Sequence, residues 1–200
     1  RVSPSNVTIV SGDFLEMDLF RPPYRGNGPL RVVGNLPYSV SSMILLKLLR
    51  FSGCGSRLSD AILMFQREVA DRVTAEPKSP DWGPLAVLTR LHAHPVRILT
   101  IPPGAFRPMP RVRSAVVTLK FRPSPVKVSD QELFDLVVRR MFTQRRKMAV
   151  NALRSLASQI CSLSSQELFE KAGVDPRSRP GQLELAEFAE LSKVLALSRL

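Results

Sequence analysis

The stretch Arg31-Val32-Val33-Gly34-Asn35-Leu36-Pro37-Tyr38-Ser39-Val40-Ser41-Ser42-Met43 decides how this chain is read. A β-branched run from Arg31 to Asn35 breaks at Leu36-Pro37-Tyr38. An amphipathic segment from Met43 to Phe51 follows and stops at Gly53-Cys54-Gly55. Ser39, Ser41 and Ser42 offer side-chain oxygens to cap the free backbone donors of that helix. Working outward, Val7 to Ser11 is another β-branched run, ending at Gly12-Asp13. Downstream the periodicity predicts a strand at Ala61 to Phe65, a polar helix from about Arg67 to Ala75, and a helix at Leu85 to His92. Strands are expected at Val96 to Ile101 and Ala115 to Phe121. Strand and helix in alternation predict an α/β fold with a mostly parallel sheet and helices on its faces.

The pattern changes after Arg122-Pro123-Ser124-Pro125, beyond which helical periods alone are expected. Ser129 with Glu132 and Ser164 with Glu167 both match the capping box. Leu133 to Phe142 has apolar residues at helical spacing, Leu168 to Ala172 ends at Gly173, and Leu183 to Leu197 reads as a last amphipathic helix. The expectation is a catalytic α/β part at 1–124 and a small all-helical part at 125–200.

Basic residues number 29 against 17 acidic ones, a net charge of +12, and +9 of this falls on residues 1–123. Such an excess suits a polyanion, because each cation near a phosphate releases condensed counterions. A membrane partner would need a basic amphipathic helix or a span of roughly 20 apolar residues, and no such span occurs. Cys54 and Cys161 cannot form a disulfide framework and suit a reducing compartment. With no secretory leader visible, a soluble cytoplasmic monomer is expected. His92 and His94 would share one face of a strand. No Cys, Asp or Glu stands near enough in sequence to complete a metal site, so none is expected.

Asn35-Leu36-Pro37-Tyr38 lies where ligands bind in open α/β sheets, at the carboxyl end of a strand. An exocyclic aromatic amine is a poor nucleophile, because its lone pair is delocalised into the ring. The Asn35 side-chain oxygen and a neighbouring backbone carbonyl could accept its two hydrogens and aim that lone pair at a methyl donor. Pro37 stiffens the turn, and Tyr38 presents a face on which a flipped base can stack. The plainer alternative is a turn, since Asn and Pro are common turn residues.

Several spaced motifs carry a resemblance. Gly12-Asp13 precedes Asn35-Leu36-Pro37-Tyr38-Ser39 and the Ser41-Ser42 helix. Gln66-Arg67-Glu68-Val69-Ala70 follows, with Arg72 and Ala75. Pro102-Pro103-Gly104-Ala105-Phe106 continues through Pro108, Pro110, Val112 and Ser114-Ala115. Phe142, Gln144-Arg145-Arg146-Lys147, and Arg179-Pro180 with Leu183 complete the series. Together they resemble the ribosomal RNA small-subunit adenine N6-dimethyltransferase family almost from end to end.

The resemblance implies a Rossmann-like methyltransferase fold that uses S-adenosylmethionine. Its reaction would be methylation of two adjacent adenines near the 3′ end of small-subunit ribosomal RNA. Asn35 with the Leu36 and Pro37 backbone would hold the target amine, while Tyr38 and Phe106 would clamp the two faces of the base. Asp13 and Asn35 would contact the cofactor. Arg107, Arg111 and Arg113 would guide RNA, joined by Arg145, Arg146 and Lys147. Each role has a structural alternative: a plug for Phe106, a turn or cap for Asp13, a solvated helix face for the basic run. Glu68 is read as an ion partner of Arg72 at helical spacing rather than a general base.

The family's Gly-rich cofactor turn and ribose-binding acid are not found, and neither Gly26-x-Gly28 nor Gly53-x-Gly55 sits between strand and helix as required. The expectation is that the first two β-α units, on the order of 60 residues, precede the sequence. Related large-subunit methylases that confer antibiotic resistance share the asparagine and aromatics, but the Gln66 helix and long helical tail favour the small-subunit branch. DNA adenine methylases usually have Pro where Leu36 stands. Nucleic-acid-binding organellar factors of the same fold are a non-enzymatic alternative, against which Asn35, Tyr38 and Phe106 argue.

Overall fold

Leu30–Asn35 is β1, Ser41–Gly53 is α1, Leu58–Gln66 is β2, Arg67–Thr74 is α2, Pro84–His92 is α3, Ala93–Ile101 is β3 and Ser114–Phe121 is β4. These elements come from a computed structural model that describes residues 7, 9–20, 28–55 and 57–199. Gly26, part of one of the glycine pairs, lies outside the described residues.

The four strands are ordered β1-β2-β4-β3. β1 runs parallel to β2, but β4 is antiparallel to both β2 and β3, so the described sheet is mixed rather than mostly parallel. The reason lies in the connections. A crossover through α1 returns the chain to start β2 in the same sense as β1, whereas the loop from 102 to 113 reverses it and inserts β4 between β2 and β3.

Val7 to Ser11 is not a strand in its described residues, 7 and 9–11, which are exposed and unpaired. A β-branched run needs a neighbour for its backbone groups, and none of the described strands offers one. The open edge of β1 likewise faces no strand among the described residues.

One face of the sheet is buried. Ala61, Leu63 and Phe65 of β2 and Ala115, Val117 and Leu119 of β4 are almost fully covered, with α1, α2 and α3 packed on the sheet. The register puts Val33, Ile62, Thr118 and Val96 in one row on the opposite face, and Asn35, Met64, Val116 and Leu99 in the next. This second face stays open: Val33 is 72% exposed and Leu99 is 54% exposed. The candidate asparagine therefore stands at a strand end, on the uncovered face.

Ser39, Ser41 and Ser42 do not cap α1. Its N-cap is Val40, without a side-chain bond, and the Ser41 hydroxyl instead donates to the Tyr38 carbonyl at 3.1 Å. His92 ends α3 and His94 lies in β3, so the pair straddles a helix–strand junction rather than one strand face. No group of metal ligands occurs among the described residues.

The tail is helical: α4 at Gln131–Thr143, α5 at Ala149–Ile160, α6 at Ser165–Ala172 and α7 at Leu185–Leu197. The Ser164–Glu167 capping box forms, and Gly173 ends α6 at φ 66°, the left-handed conformation that glycine tolerates best. At α4 the cap is Asp130, one residue beyond the expected Ser129, and its carboxylate accepts from the Leu133 N–H at 2.8 Å. α5 is absent from the sequence reading, although Ala149, Val150, Leu153, Leu156, Ala157 and Ile160 stand at helical spacing. Arg145, Arg146 and Lys147 occupy the turn before α5, not a helix face. None of the helices among the described residues is long and apolar enough to cross a membrane.

One apolar cluster runs through both parts of the chain, from Leu45 and Phe65 to Phe134, Phe169 and Leu195. The buried Trp82 indole N–H donates to the Leu183 carbonyl at 2.9 Å, and the Lys78 N–H donates to the Gly181 carbonyl at 3.1 Å. Arg145 adds a 3.3 Å bond to the Ser79 carbonyl. The α2–α3 connection is thus stitched to the helical tail.

Candidate active site

β1 delivers Asn35 to the end of the sheet. Leu36-Pro37-Tyr38 turns the chain, and the Val40 N–H donates to the Pro37 carbonyl at 3.2 Å as α1 begins. A Cβ at Gly34 would come within 2.9 Å of the tip of the Leu36 side chain and 3.3 Å of that of Leu63, so a larger residue there would require the Leu36 tip to move. From the other side comes the 102–113 loop. A short 3-10 turn at Pro103–Ala105 sets up Phe106, and the Arg107–Pro108 peptide bond is cis.

These two segments border a shallow, open cleft of about 260 Å³ lined by Asn35, Leu36, Pro37, Tyr38, Met64, Phe106, Pro108 and Pro110. All five residues expected to handle the base therefore line one cavity. Met64 was not foreseen, yet its place follows from the parallel register that pairs it with Asn35. Asn35 and Pro37 are exposed, while Tyr38 and Phe106 are half-buried: polar groups open to a ligand, with two rings partly held by the fold. The Tyr38 hydroxyl is 2.6 Å from Ser114 Oγ. Ser114 is fully buried, and in sequence it stands out only as part of the Ser114-Ala115 motif.

Asp13 stands outside this lining. Its carboxylate accepts from the Leu15 N–H at 2.8 Å, and its carbonyl accepts from the Glu16 and Met17 N–H groups, so it initiates a turn. That turn is pinned by α1: Lys47 Nζ donates to the carbonyls of Phe14 (2.9 Å), Leu15 (2.7 Å) and Met17. Asp13 is exposed, and one carboxylate oxygen has no bond among the described residues.

Arg107, Arg111 and Arg113 are exposed around the loop that carries Phe106, and none has an ion pair among the described residues. The Arg113 carbonyl accepts from the Arg67 N–H at 2.9 Å, joining the end of this loop to α2. Glu68 is paired with Arg72 one helical turn on, as expected. Arg145 braces the Ser79 loop, whereas Arg146 and Lys147 are exposed.

A larger cleft of about 490 Å³ lies between the 15–20 segment and α1. Its walls are apolar apart from Asp18, Lys47, Arg50, Cys54 and Arg139, and none of the expected base-handling residues enters it. Its size alone gives it no chemistry. Among the described residues, the smaller cleft combines a side-chain amide, adjacent backbone carbonyls and two aromatic rings.

An open sheet with helices packed on one face, and an asparagine at the end of its edge strand β1, suits the Rossmann-like methyltransferase fold, and comparison with solved structures agrees. The chain is similar to a dimethyladenosine transferase from Plasmodium falciparum, with a TM-score of 0.72 and 18% identity over 91% of this chain and 70% of that one. It is also similar to the 23S rRNA methyltransferase ErmE, with a TM-score of 0.61 and 21% identity over 96% and 73% of the two chains.

The family model for ribosomal RNA adenine dimethylase matches residues 1–197, and the chain belongs to that family. Among its relatives is the ribosomal RNA small subunit methyltransferase A of Acinetobacter baylyi, 40% identical over 94% of this chain and 65% of the relative. The protein of that name from Pseudomonas aeruginosa is 38% identical over 96% and 68%. The chain thus spans about two thirds of the length of the curated relatives it matches.

Proposed function

We propose that the cleft binds an adenine flipped out of ribosomal RNA and presents its exocyclic N6 amine for methylation. The observation that carries this reading is the meeting of Asn35, Tyr38 and Phe106 in one cavity, in a chain of the adenine dimethylase family. Asn35 Oδ1 and the Leu36–Pro37 backbone carbonyls accept the two amine hydrogens. This draws the nitrogen lone pair out of conjugation and orients it. Tyr38 and Phe106 stack on the base faces, with each base–aromatic contact worth about 1–3 kcal/mol. That offsets part of the cost of unstacking. The rate gain arises from orientation, with no covalent enzyme intermediate; the methylated amine loses its proton readily once its lone pair is used, so no strong base is needed.

S-adenosylmethionine supplies the electrophilic methyl group. Asp13 and Asn35 would hold it, and the exposed Asp13 carboxylate, one oxygen of which has no bond among the described residues, suits the adenine amine of that molecule. Among the described residues no Gly-rich turn joins a strand to a helix to receive its other end.

The substrate would be two adjacent adenines near the 3′ end of small-subunit ribosomal RNA, in the small subunit as it assembles. The enzyme would work as a cytoplasmic monomer. Arg107, Arg111 and Arg113 would take phosphates beside the cleft, with Arg146 and Lys147 adding charge further along and Arg145 chiefly bracing the tail. In this scheme residues 1–124 carry the pocket and the helical part, 125–200, supports it.

The test supplies labelled methyl donor and unmodified small subunits to the intact enzyme and maps the methylated adenines. Asn35→Ala and Tyr38→Ala should each abolish transfer while the circular dichroism spectrum stays native. Normal rates in both variants would remove the cleft from the reaction.

A further inference from the structure

We propose that Ser114 is a positioning residue for the stacking ring, locking the plane of Tyr38 and referring it to the loop that carries Phe106. The inference rests on the adenine-methylating reading of the cleft.

Stacking uses the face of an aromatic ring, and a phenylalanine has as good a face as a tyrosine. The Tyr38 hydroxyl therefore needs another use, and the structure shows one: it meets Ser114 Oγ at 2.6 Å. Ser114 has no exposed surface, so this is a bond from a half-open cleft into the core. Its backbone cannot drift, because Ser114 is paired across the sheet with Gln66 on one side and Ile101 on the other. The opposite end of the tyrosine is held as well, by the Ser41 hydroxyl on the Tyr38 carbonyl at 3.1 Å. A ring fixed at both its hydroxyl and its backbone is already ordered when the base arrives, so less rotamer freedom is lost on stacking.

The same residue closes the base of the opposing loop. β3 ends at Ile101, the chain runs through Phe106, and β4 begins at Ser114, which is Ile101's partner in register. The spacing of the two clamping rings is thus set through one serine: Tyr38 by its hydroxyl bond, Phe106 by the loop anchored at the Ile101–Ser114 pair. Ser114 touches neither base nor methyl donor in this scheme, and it acts through Tyr38.

Phosphate contacts set how well RNA binds, whereas ring position sets how well a bound adenine is presented. Ser114→Ala in the intact enzyme should therefore lower kcat about tenfold and leave KM for small subunits within about twofold. That tenfold corresponds to about 1.4 kcal/mol. Ser114→Thr, which keeps the hydroxyl, should recover most of the rate. Tyr38→Phe should lose a similar factor, and Ser114→Ala added to it should cost nothing more. A merely structural serine would give losses that multiply, together with changed KM.

A readout independent of turnover is the Raman difference spectrum between the enzyme and its Tyr38→Phe variant, which isolates the bands of Tyr38. The intensity ratio of the Tyr38 doublet, which reports hydroxyl hydrogen bonding, should change on Ser114→Ala. An unchanged ratio, a normal kcat in Ser114→Ala, or multiplying losses would each overturn the inference. If Ser114→Ala fails to fold, Tyr38→Phe severs the same bond from the cleft side, and a normal kcat there overturns it equally. Inactivity of the wild-type enzyme on adenine would instead bring down the adenine reading itself, and the role of Ser114 with it.

Discussion

Trp82→Phe tests whether the α/β and helical parts fold as one body. Trp82 is fully buried in the α2–α3 connection, and its indole N–H donates to the carbonyl of Leu183, itself only 1% exposed, at 2.9 Å. Phenylalanine keeps an apolar ring but removes the donor. The stranded carbonyl costs about 1–3 kcal/mol, and the volume lost between indole and phenyl adds about 1 kcal/mol of cavity. The expected destabilisation is about 2–4 kcal/mol, a large part of the roughly 5–15 kcal/mol that holds a typical domain. At about 2–4 °C per kcal/mol for a chain of this size, the melting temperature should fall by roughly 4–16 °C. Urea titration followed by far-ultraviolet circular dichroism measures the first quantity and calorimetry the second. The wild type should unfold in a single transition, because one apolar cluster runs through both parts. A loss below 1 kcal/mol, or two separate wild-type transitions, would refute the view of Trp82 as a tie within a shared core.

Replacing Arg107, Arg111 and Arg113 together by Ala should flatten the salt dependence of RNA binding. Each lost phosphate contact takes about 0.7–0.9 from the log–log slope, so filter binding across a salt series should show a drop of about 2–3, and an unchanged slope would place the RNA elsewhere. His92 is buried against Gly53 at the end of α3, and burial lowers its pKa below 6.5, opposed in part by Asp135 on α4. The unfolded chain therefore binds the proton first as pH falls through about 6.5. Stability should be full above that value and decline below it. The urea midpoint should be lower at pH 5.5 than at pH 7.5, and His92→Gln should flatten that difference; an equal pH dependence in the variant would exclude His92. Calorimetry of these 200 residues should show no micromolar uptake of S-adenosylmethionine, since among the described residues no Gly-rich turn joins a strand to a helix, and a micromolar isotherm would contradict that.

The sequence is most legible where local chemistry alone decides. β1, the turn after Asn35 and α1 follow from a β-branched run, a proline and an amphipathic period. The Ser164–Glu167 box and Gly173 are written in adjacent residues and appear as written. Strand direction is different. β2 and β4 have the same alternation whether they run parallel or antiparallel, and the choice was made by the 102–113 loop, whose reversal no local pattern displays. Neighbouring candidates also compete: Asp130 rather than Ser129 caps α4, because its carboxylate reaches the Leu133 N–H. None of Ser39, Ser41 and Ser42 caps α1, whose start is set by the backbone turn from Pro37 to Val40, and Ser41 bonds backwards to Tyr38. α5 had a readable period, whereas the cluster before it looked helical by charge yet lies in a turn.

The site shows the same division. Residue types named Asn35, Tyr38 and Phe106, but their meeting depends on contacts distant in sequence: Tyr38 to Ser114 across 76 positions and Met64 beside Asn35 through parallel pairing. Motifs identify groups that touch a ligand more readily than the groups that hold them, because a holding residue such as Ser114 has no unusual chemistry of its own. Its role becomes visible only when burial, register and a hydrogen bond converge on one atom. The uncovered sheet face obeys the same logic. Val33 and Leu99 are apolar at positions where a solvated surface would be polar, so the strands are patterned for burial on both sides. Asn35 stands among them, a polar group on an apolar face. Any layer laid over that face would close around the amide and exclude water from it, which is the setting in which a side-chain carbonyl best orients a weakly nucleophilic amine.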